Sequence, residues 1–369
     1  MVWILICKLA IRKYLMKNRN LTVLVLLSLF LNKIDSQTFK TKLTDHSANV
    51  EAVAFSADGK SFASGGWDGV VNLYTFDSTG LPKLKQSFTG HLGAVISLNF
   101  SKNGRYLVSC SKDYSSRIWN IDTPAKSKVF NLHLEPVTAS FLDPSNKFLI
   151  SSSLDGTIRT TNVNDAMKSK ILKLSGPIMD LQISKDMKFY YVAFKGGTIK
   201  KFQTGGKNLE ISAFTGHTDD INSIEISPDG NFMASASNDK TIIIWDLNSG
   251  KIHKTLTGFE WKVTSIKYSS DGKYIIGGCN DGVSKIFDIS TGKAVTELKE
   301  MGKNVRDVSI SRDGTTALVA THMDAQKFGV ILYSTGIITT PIPETGADGK
   351  PKKTVAPAAS KTSKTTTKK

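Results

Sequence analysis

The chain has 369 residues, of which 40% are hydrophobic and 22% charged, a balance that excludes wholesale disorder and belongs to a chain with a core to bury. No apolar run reaches the roughly 18 residues of an ordinary membrane-spanning helix. The formal net charge is +16, but residues 1–36 and 341–369 contribute +5 each, which leaves +6 for the span between them; a body built to grip nucleic acid would concentrate its basicity on a folded face.

In chain order, residues 1–36 form a hydrophobic leader. Its largely apolar stretch from Leu21 to Leu31 follows Lys17 and Arg19 and is closed by Ile34, Asp35 and the small Ser36. Started at Met16, residues 16–36 have the layout of a secretory signal peptide. Two readings stay open. As a signal or signal-anchor, the leader places the chain in the secretory pathway or at a membrane; as a misassigned first exon, it leaves the chain cytoplasmic or nuclear.

Residues 37–340 are self-similar. The clearest unit opens Phe214-Thr215-Gly216-His217, passes through Ser227-Pro228-Asp229-Gly230 and Asn238-Asp239-Lys240, and ends Ile244-Trp245-Asp246. Asp239 lies 22 residues after His217, and Trp245 six after Asp239. The same ruler fits His46, Asp68 and Tyr74; His91, Asp113 and Trp119; and His133, Asp155 and Thr161. Three further units keep the apolar pattern while losing polar residues. Leu174, Gly196 and Phe202 mark one, Phe259, Asp281 and Phe287 another; the last starts at Met301 and is interrupted around Thr321–Phe328. Starts at 46, 91, 133, 174, 217, 259 and 301 give seven units with steps of 41 to 45 residues.

Within a unit, short alternating runs such as Ile221-Ser223-Glu225 read as strands. They are divided by turn sequences: Ser-Ala-Asp-Gly at 56–59, Lys-Asn-Gly at 102–104, Ser-Asp-Gly at 270–272. Each unit thus predicts four antiparallel strands. Residues 38–43 precede the first unit and belong to none. The seventh unit lacks one strand near Ser334, so 38–43 are expected to complete it and leave no open sheet edge. Residues 341–369, rich in Lys, Thr, Pro and Ala, cannot bury enough surface to fold and read as a disordered tail. Its Lys352, Lys353, Lys361, Lys364, Lys368 and Lys369 could contact a polyanion such as nucleic acid or acidic lipid.

These residues resemble the WD-repeat family of β-propellers, which includes the G-protein β subunits, over roughly 37–340. The resemblance implies an all-β, seven-bladed WD40 propeller closed by the N-terminal strand. It also implies that His, Ser, Asp and Trp form a buried tetrad within a blade. Complete sets are His91, Ser109, Asp113 and Trp119, and His217, Ser235, Asp239 and Trp245; His46, Ser64 and Asp68, and His133, Ser151 and Asp155, lack only the Trp.

The His, Ser and Asp trios evoke hydrolysis, but their recurrence at blade period marks them as architecture. No Gly-rich phosphate loop and no metal-ligand spacing are found, Gly196-Gly197 being a turn, and His253 and His322 stand apart from any ligand set. No enzyme activity and no cofactor are expected. Cys110 and Cys279, read as occupying one position of two repeats, are structural thiols.

Partner binding is expected on the rim around one end of the channel, where the resemblance puts docking. Trp67 and Trp261 are spare aromatic residues there, and Lys112, Leu154, Asp220, Asn238, Lys262 and Asn280 surround them. The predicted function is a non-enzymatic scaffold within a multi-subunit protein assembly, with no small-molecule substrate. The alternatives are a polyanion-associated subunit acting through the basic tail, and a secreted or lumenal propeller.

Overall fold

The computed structural model describes residues 39–204, 209–299, 303–322 and 329–337. The leader, the tail and most of the interruption after Thr321 lie outside these residues. Among the described residues the chain forms seven four-stranded antiparallel sheets. Blade five shows the plan, with Ile221–Ile226 innermost, then Phe232–Ser237, Ile242–Asp246 and Ile252–Leu256 outermost. Neighbouring innermost strands touch in cyclic order around the ring, from blade one through blade seven and back to blade one. The molecule is therefore a seven-bladed β-propeller.

The ring closes as expected. Strand Phe39–Leu43 pairs antiparallel with Gly329–Ser334, with Leu43 opposite Val330 and Phe39 opposite Tyr333. It supplies the outer strand of a blade whose other three strands come from the far end of the sequence. Gly329–Ser334 is thereby paired on both sides and is not left as an open edge.

There is no single core. Seven apolar clusters each lie between two adjacent blades; one joins Ala52, Leu73 and Phe88 of blade one to Leu98, Leu107 and Trp119 of blade two. The second strand of every blade is sandwiched in this way and is buried on both faces. Ser61–Gly66, Tyr106–Ser111 and Phe232–Ser237 each carry five consecutive buried residues. That is why their sequences are continuous runs of small and apolar residues rather than alternating ones. The outermost strands, such as Asp165–Lys173, face water and carry lysines that discourage edge pairing. Blade spacing also limits side-chain size: a Cβ on Gly278 would lie 2.5 Å from Val305 Cγ1 of the next blade.

The two thiols are both buried, but they do not share a repeat position. Cys279 pairs with Val263 and its Sγ donates to the Trp261 carbonyl at 3.3 Å, as the Ser111 and Ser237 hydroxyls do to Gly93 and Asp219. Cys110 pairs with Ser97, one step along the strand, where blade six has Gly278 opposite Ser265. The two positions point to opposite faces of a strand; the offset from Asp113 and Asp281, three residues against two, already distinguishes them.

Candidate functional site

The polar residues of the repeat form compact networks. In blade two, His91 Nδ1 lies 2.8 Å from Asp113, its Nε2 2.7 Å from Ser109 Oγ, and Trp119 Nε1 donates to the same Oγ at 2.8 Å. Blade five repeats this with His217, Asp239, Ser235 and Trp245 at 2.7, 2.7 and 2.8 Å. His46 and His133 bridge their Ser and Asp in the same way. Where blades one and three lack the Trp, the Tyr74 hydroxyl donates to Asp45 at 3.1 Å and Thr161 Oγ1 lies 2.9 Å from Ser169 Oγ.

Burial alone would raise the Asp239 carboxyl, but hydrogen bonds from Thr241 and His217 outweigh it and hold the group below the usual carboxylate range. Burial, partly opposed by the neighbouring Asp, pushes the His91 and His133 imidazoles below their ordinary value. The geometry is that of a hydrolytic triad, yet Ser64, Ser109 and Ser235 have no exposed surface. A substrate carbonyl cannot approach their oxygens, so the networks instead hold two loops together in blades one, two, three and five.

Those two loops build the rim. The amides of Trp67, Lys112, Leu154, Asn238 and Asn280 donate to the carbonyls of Asn49, Ala94, Pro136, Asp220 and Lys262, one equivalent bond in each of five blades. This bond places Trp67, Lys112, Leu154, Asp220, Asn238, Lys262 and Asn280 at equivalent positions of their blades, and Trp261 directly precedes Lys262. Trp67 is 49% exposed and Trp261 60%. Lys112, Leu154 and Lys262 also line the central channel, a cavity of about 560 Å³. Asp220 and Asn238 are already engaged: Asp220 Oδ1 accepts the Gly196 amide at 2.7 Å, and Asn238 Oδ1 accepts from Asn222 at 2.9 Å.

Sequence reasoning missed what fixes Trp67. Glu51, only 5% exposed, accepts from Trp67 Nε1, from Arg306 Nε at 2.8 Å and from His322 Nε2 at 3.0 Å. Burial would raise this carboxyl, but the bonds from His322, Arg306 and Trp67, with the Arg306 charge, bring it down to about 2. The His322 ring meets the indole edge-on at 5.4 Å, and Lys112 Nζ lies 5.3 Å from the indole centre. The indole is held between blade seven and blade two while half its surface faces water. No sequence signal marked Glu51, because its charged partners Arg306 and His322 lie more than 250 residues away in the chain. Also missed were Leu92 and Tyr114 of blade two and Leu134 of blade three, exposed apolar residues on the loops that carry the repeat His and Asp. Their positions directly follow the repeat His or Asp, which could have singled them out.

Deeper in the channel, Asp180, Glu225, Lys267 and Asp307 line the wall of four successive blades. Lys267 Nζ lies 2.9 Å from Glu225, Asp180 accepts the Ile224 amide at 2.8 Å, and Asp307 accepts the Val53 amide at 2.9 Å. These bonds tie blade four to five and blade seven to one. Burial pushes the Asp180 carboxyl up to about 7.

A family profile described as WD domain, G-beta repeat matches residues 37–75, 82–120, 125–160, 208–246 and 250–288. The spans it leaves contain most of blades four and seven, where the repeat histidine is replaced. The chain is 41% identical over 87 residues to actin-interacting protein 1 of Drosophila melanogaster, covering 23% of this chain and 14% of that protein. It is 24% identical over 207 residues to the guanine nucleotide-binding protein subunit beta of Arabidopsis thaliana, covering 54% and 45%. It is 42% identical over 178 residues to the small ribosomal subunit protein RACK1 of Candida albicans, covering 48% and 56%. The matches therefore span from 14% to 56% of these relatives' own lengths.

Proposed function

The chain belongs to the WD domain, G-beta repeat family, and on that footing we propose that it is a non-enzymatic platform whose rim docks protein partners in a multi-subunit assembly. The observation that carries the reading is the pair of large aromatic side chains on one rim, Trp67 at 49% and Trp261 at 60% exposure, in blades that flank blade seven. Rigid aromatic surface is what interface hot spots use, and Trp67 is immobilised before any partner arrives. Lys112, Leu154, Asp220, Asn238, Lys262 and Asn280 supply the mixed, partly polar surround that such anchors need. Names among the relatives point the same way, since they include an actin-interacting protein, a G-protein subunit and a ribosomal-subunit protein.

The test is an affinity pull-down with quantitative proteomics, comparing wild type, the Trp67→Ala/Trp261→Ala double variant and a chain ending at Thr340. Each Trp change should weaken a native partner by about 2 kcal/mol or more while the fold persists. Partners that survive both Trp changes but vanish with the tail would replace this reading with polyanion binding.

A further inference from the structure

Away from the rim, where the innermost strands of blades five and six end, lies a cavity of about 140 Å³ lined by Asp229, Phe232, His253, Tyr268 and Asp271 among others. Tyr268 is 6% exposed, and its hydroxyl has no hydrogen-bond partner among the described residues. A buried hydroxyl left unbonded costs about 1–3 kcal/mol, so its presence needs a reason. The repeat does not supply one. The matching position, opposite the second residue of the next strand, is Phe55, Phe100, Leu142, Ile183, Ile226 and Ile310 in the other six blades. Packing there is satisfied by a hydrocarbon. Tyr268 alone brings an oxygen.

The surroundings of that oxygen select a ligand class. The Phe232 and His253 rings stand 4.7 Å apart and tilted by 47°, which forms an aromatic wall. Asp229 and Asp271 line the same space; Asp229 is engaged by Ser227 and Asn231, and Asp271 by Ser269 and Lys273. Burial first, and then the carboxylates of Glu225 and Asp229, push the Tyr268 phenol well above its ordinary range; the two acidic side chains that line the space itself are Asp229 and Asp271. An anion is repelled by those two carboxylates, and a neutral apolar group leaves the hydroxyl unbonded. A cation with N–H donors answers both the ring faces and the free oxygen. The volume is well below the roughly 300 Å³ at which drug-sized pockets begin, so only a small group fits.

We propose that this inter-blade cavity binds a primary alkylammonium group of the size of a lysine side-chain tip. The site is separate from the rim, and the proposal does not depend on the platform reading. A lysine on a partner protein and a free small amine share this chemistry, and the experiment separates them.

The full-length chain, carrying 13C-labelled Tyr and His rings, is titrated at constant ionic strength with n-butylammonium, n-butanol and butyrate. It is then titrated with a short blocked peptide containing one lysine. The ammonium should shift the Tyr268 and His253 signals, and butanol and butyrate should not. Tyr268→Phe should weaken ammonium binding by about fivefold or more, and His253→Ala by about two- to threefold, through the lost hydroxyl and ring face. The thermal midpoint of Tyr268→Phe should stay unchanged or rise, since the substitution removes an unbonded group. Tighter binding of the peptide lysine than of butylammonium identifies a protein ligand; the reverse order identifies a free amine. The proposal is overturned by equal response to butanol, by an unchanged affinity in Tyr268→Phe, or by no ammonium response at all. A drop in the Tyr268→Phe midpoint without an ammonium response would assign the hydroxyl to structural water.

Discussion

Replacing Asp239 by Ala tests whether the repeat networks hold the blades in the way their geometry implies. The carboxylate accepts four donors: His217 Nδ1 at 2.7 Å, Thr241 Oγ1 at 2.6 Å, the Thr241 amide at 3.0 Å and the Thr218 amide at 3.1 Å. Thr218 is exposed and its amide can turn to water, whereas His217 and the Thr241 groups are enclosed by the two loops. Stranded buried donors cost about 1–3 kcal/mol each, with partial relief from water entering the space, so a loss of about 3 kcal/mol is expected. Asp281 occupies the same place in blade six, but there Phe259 replaces the histidine and packs on Phe287 at 5.6 Å. Its carboxylate accepts the Val283 amide at 2.9 Å, so Asp281→Ala should cost about 1 kcal/mol.

Urea titration of both variants, followed by tryptophan fluorescence and far-ultraviolet circular dichroism, compares the two losses directly. Equal midpoint shifts would refute the argument, because they would show that the imidazole adds nothing. Acid gives a second check. The folded-state pKa of Asp239 is depressed, so its stabilisation is complete above the unfolded-state value of about 3.9 and is lost as pH falls through the folded-state value. The gap between wild type and Asp239→Asn should therefore collapse in acid.

Two further outcomes follow from the ring. Deleting residues 37–43 strips Gly329–Ser334 of its partner strand and should lower the thermal midpoint and promote association, read by calorimetry and light scattering; an unchanged midpoint would show that the closing strand is dispensable. Asp180 has the opposite pH sign to Asp239. Its folded-state pKa, pushed up to about 7, lies above the unfolded value, so wild type should lose stability relative to Asp180→Asn as pH rises from about 4 through 7, measured by urea midpoints across that range.

The blade count and its closure were legible in the chain because both rest on local, periodic signals. His217, Asp239 and Trp245 recur on one ruler, the Ser-x-Asp-Gly turns recur between strands, and the orphan segment before His46 matched the gap near Ser334. The first two are short-range patterns that recur in several units, so a unit that lacks one is placed by its neighbours, whereas closure was a single match between an orphan segment and a gap. That Trp67 and Lys112 occupy equivalent places in their blades was legible from the same recurrence. The exception was the thiols, where a one-residue slip between Cys110 and Cys279 exchanged one face of a strand for the other.

What the tertiary structure alone decided are the contacts that break the repeat. Glu51, Arg306, His322 and Trp67 meet because the ring brings the first blade against the seventh, across more than 250 residues. Asp180, Glu225, Lys267 and Asp307 become one channel wall only when four blades stand side by side. Tyr268 reads as one more apolar strand end until its hydroxyl is found buried and unbonded between two blades. Periodicity determines which element a residue joins. It carries no information about non-repeating partners supplied by a neighbouring blade, and those are set by closure of the ring in space.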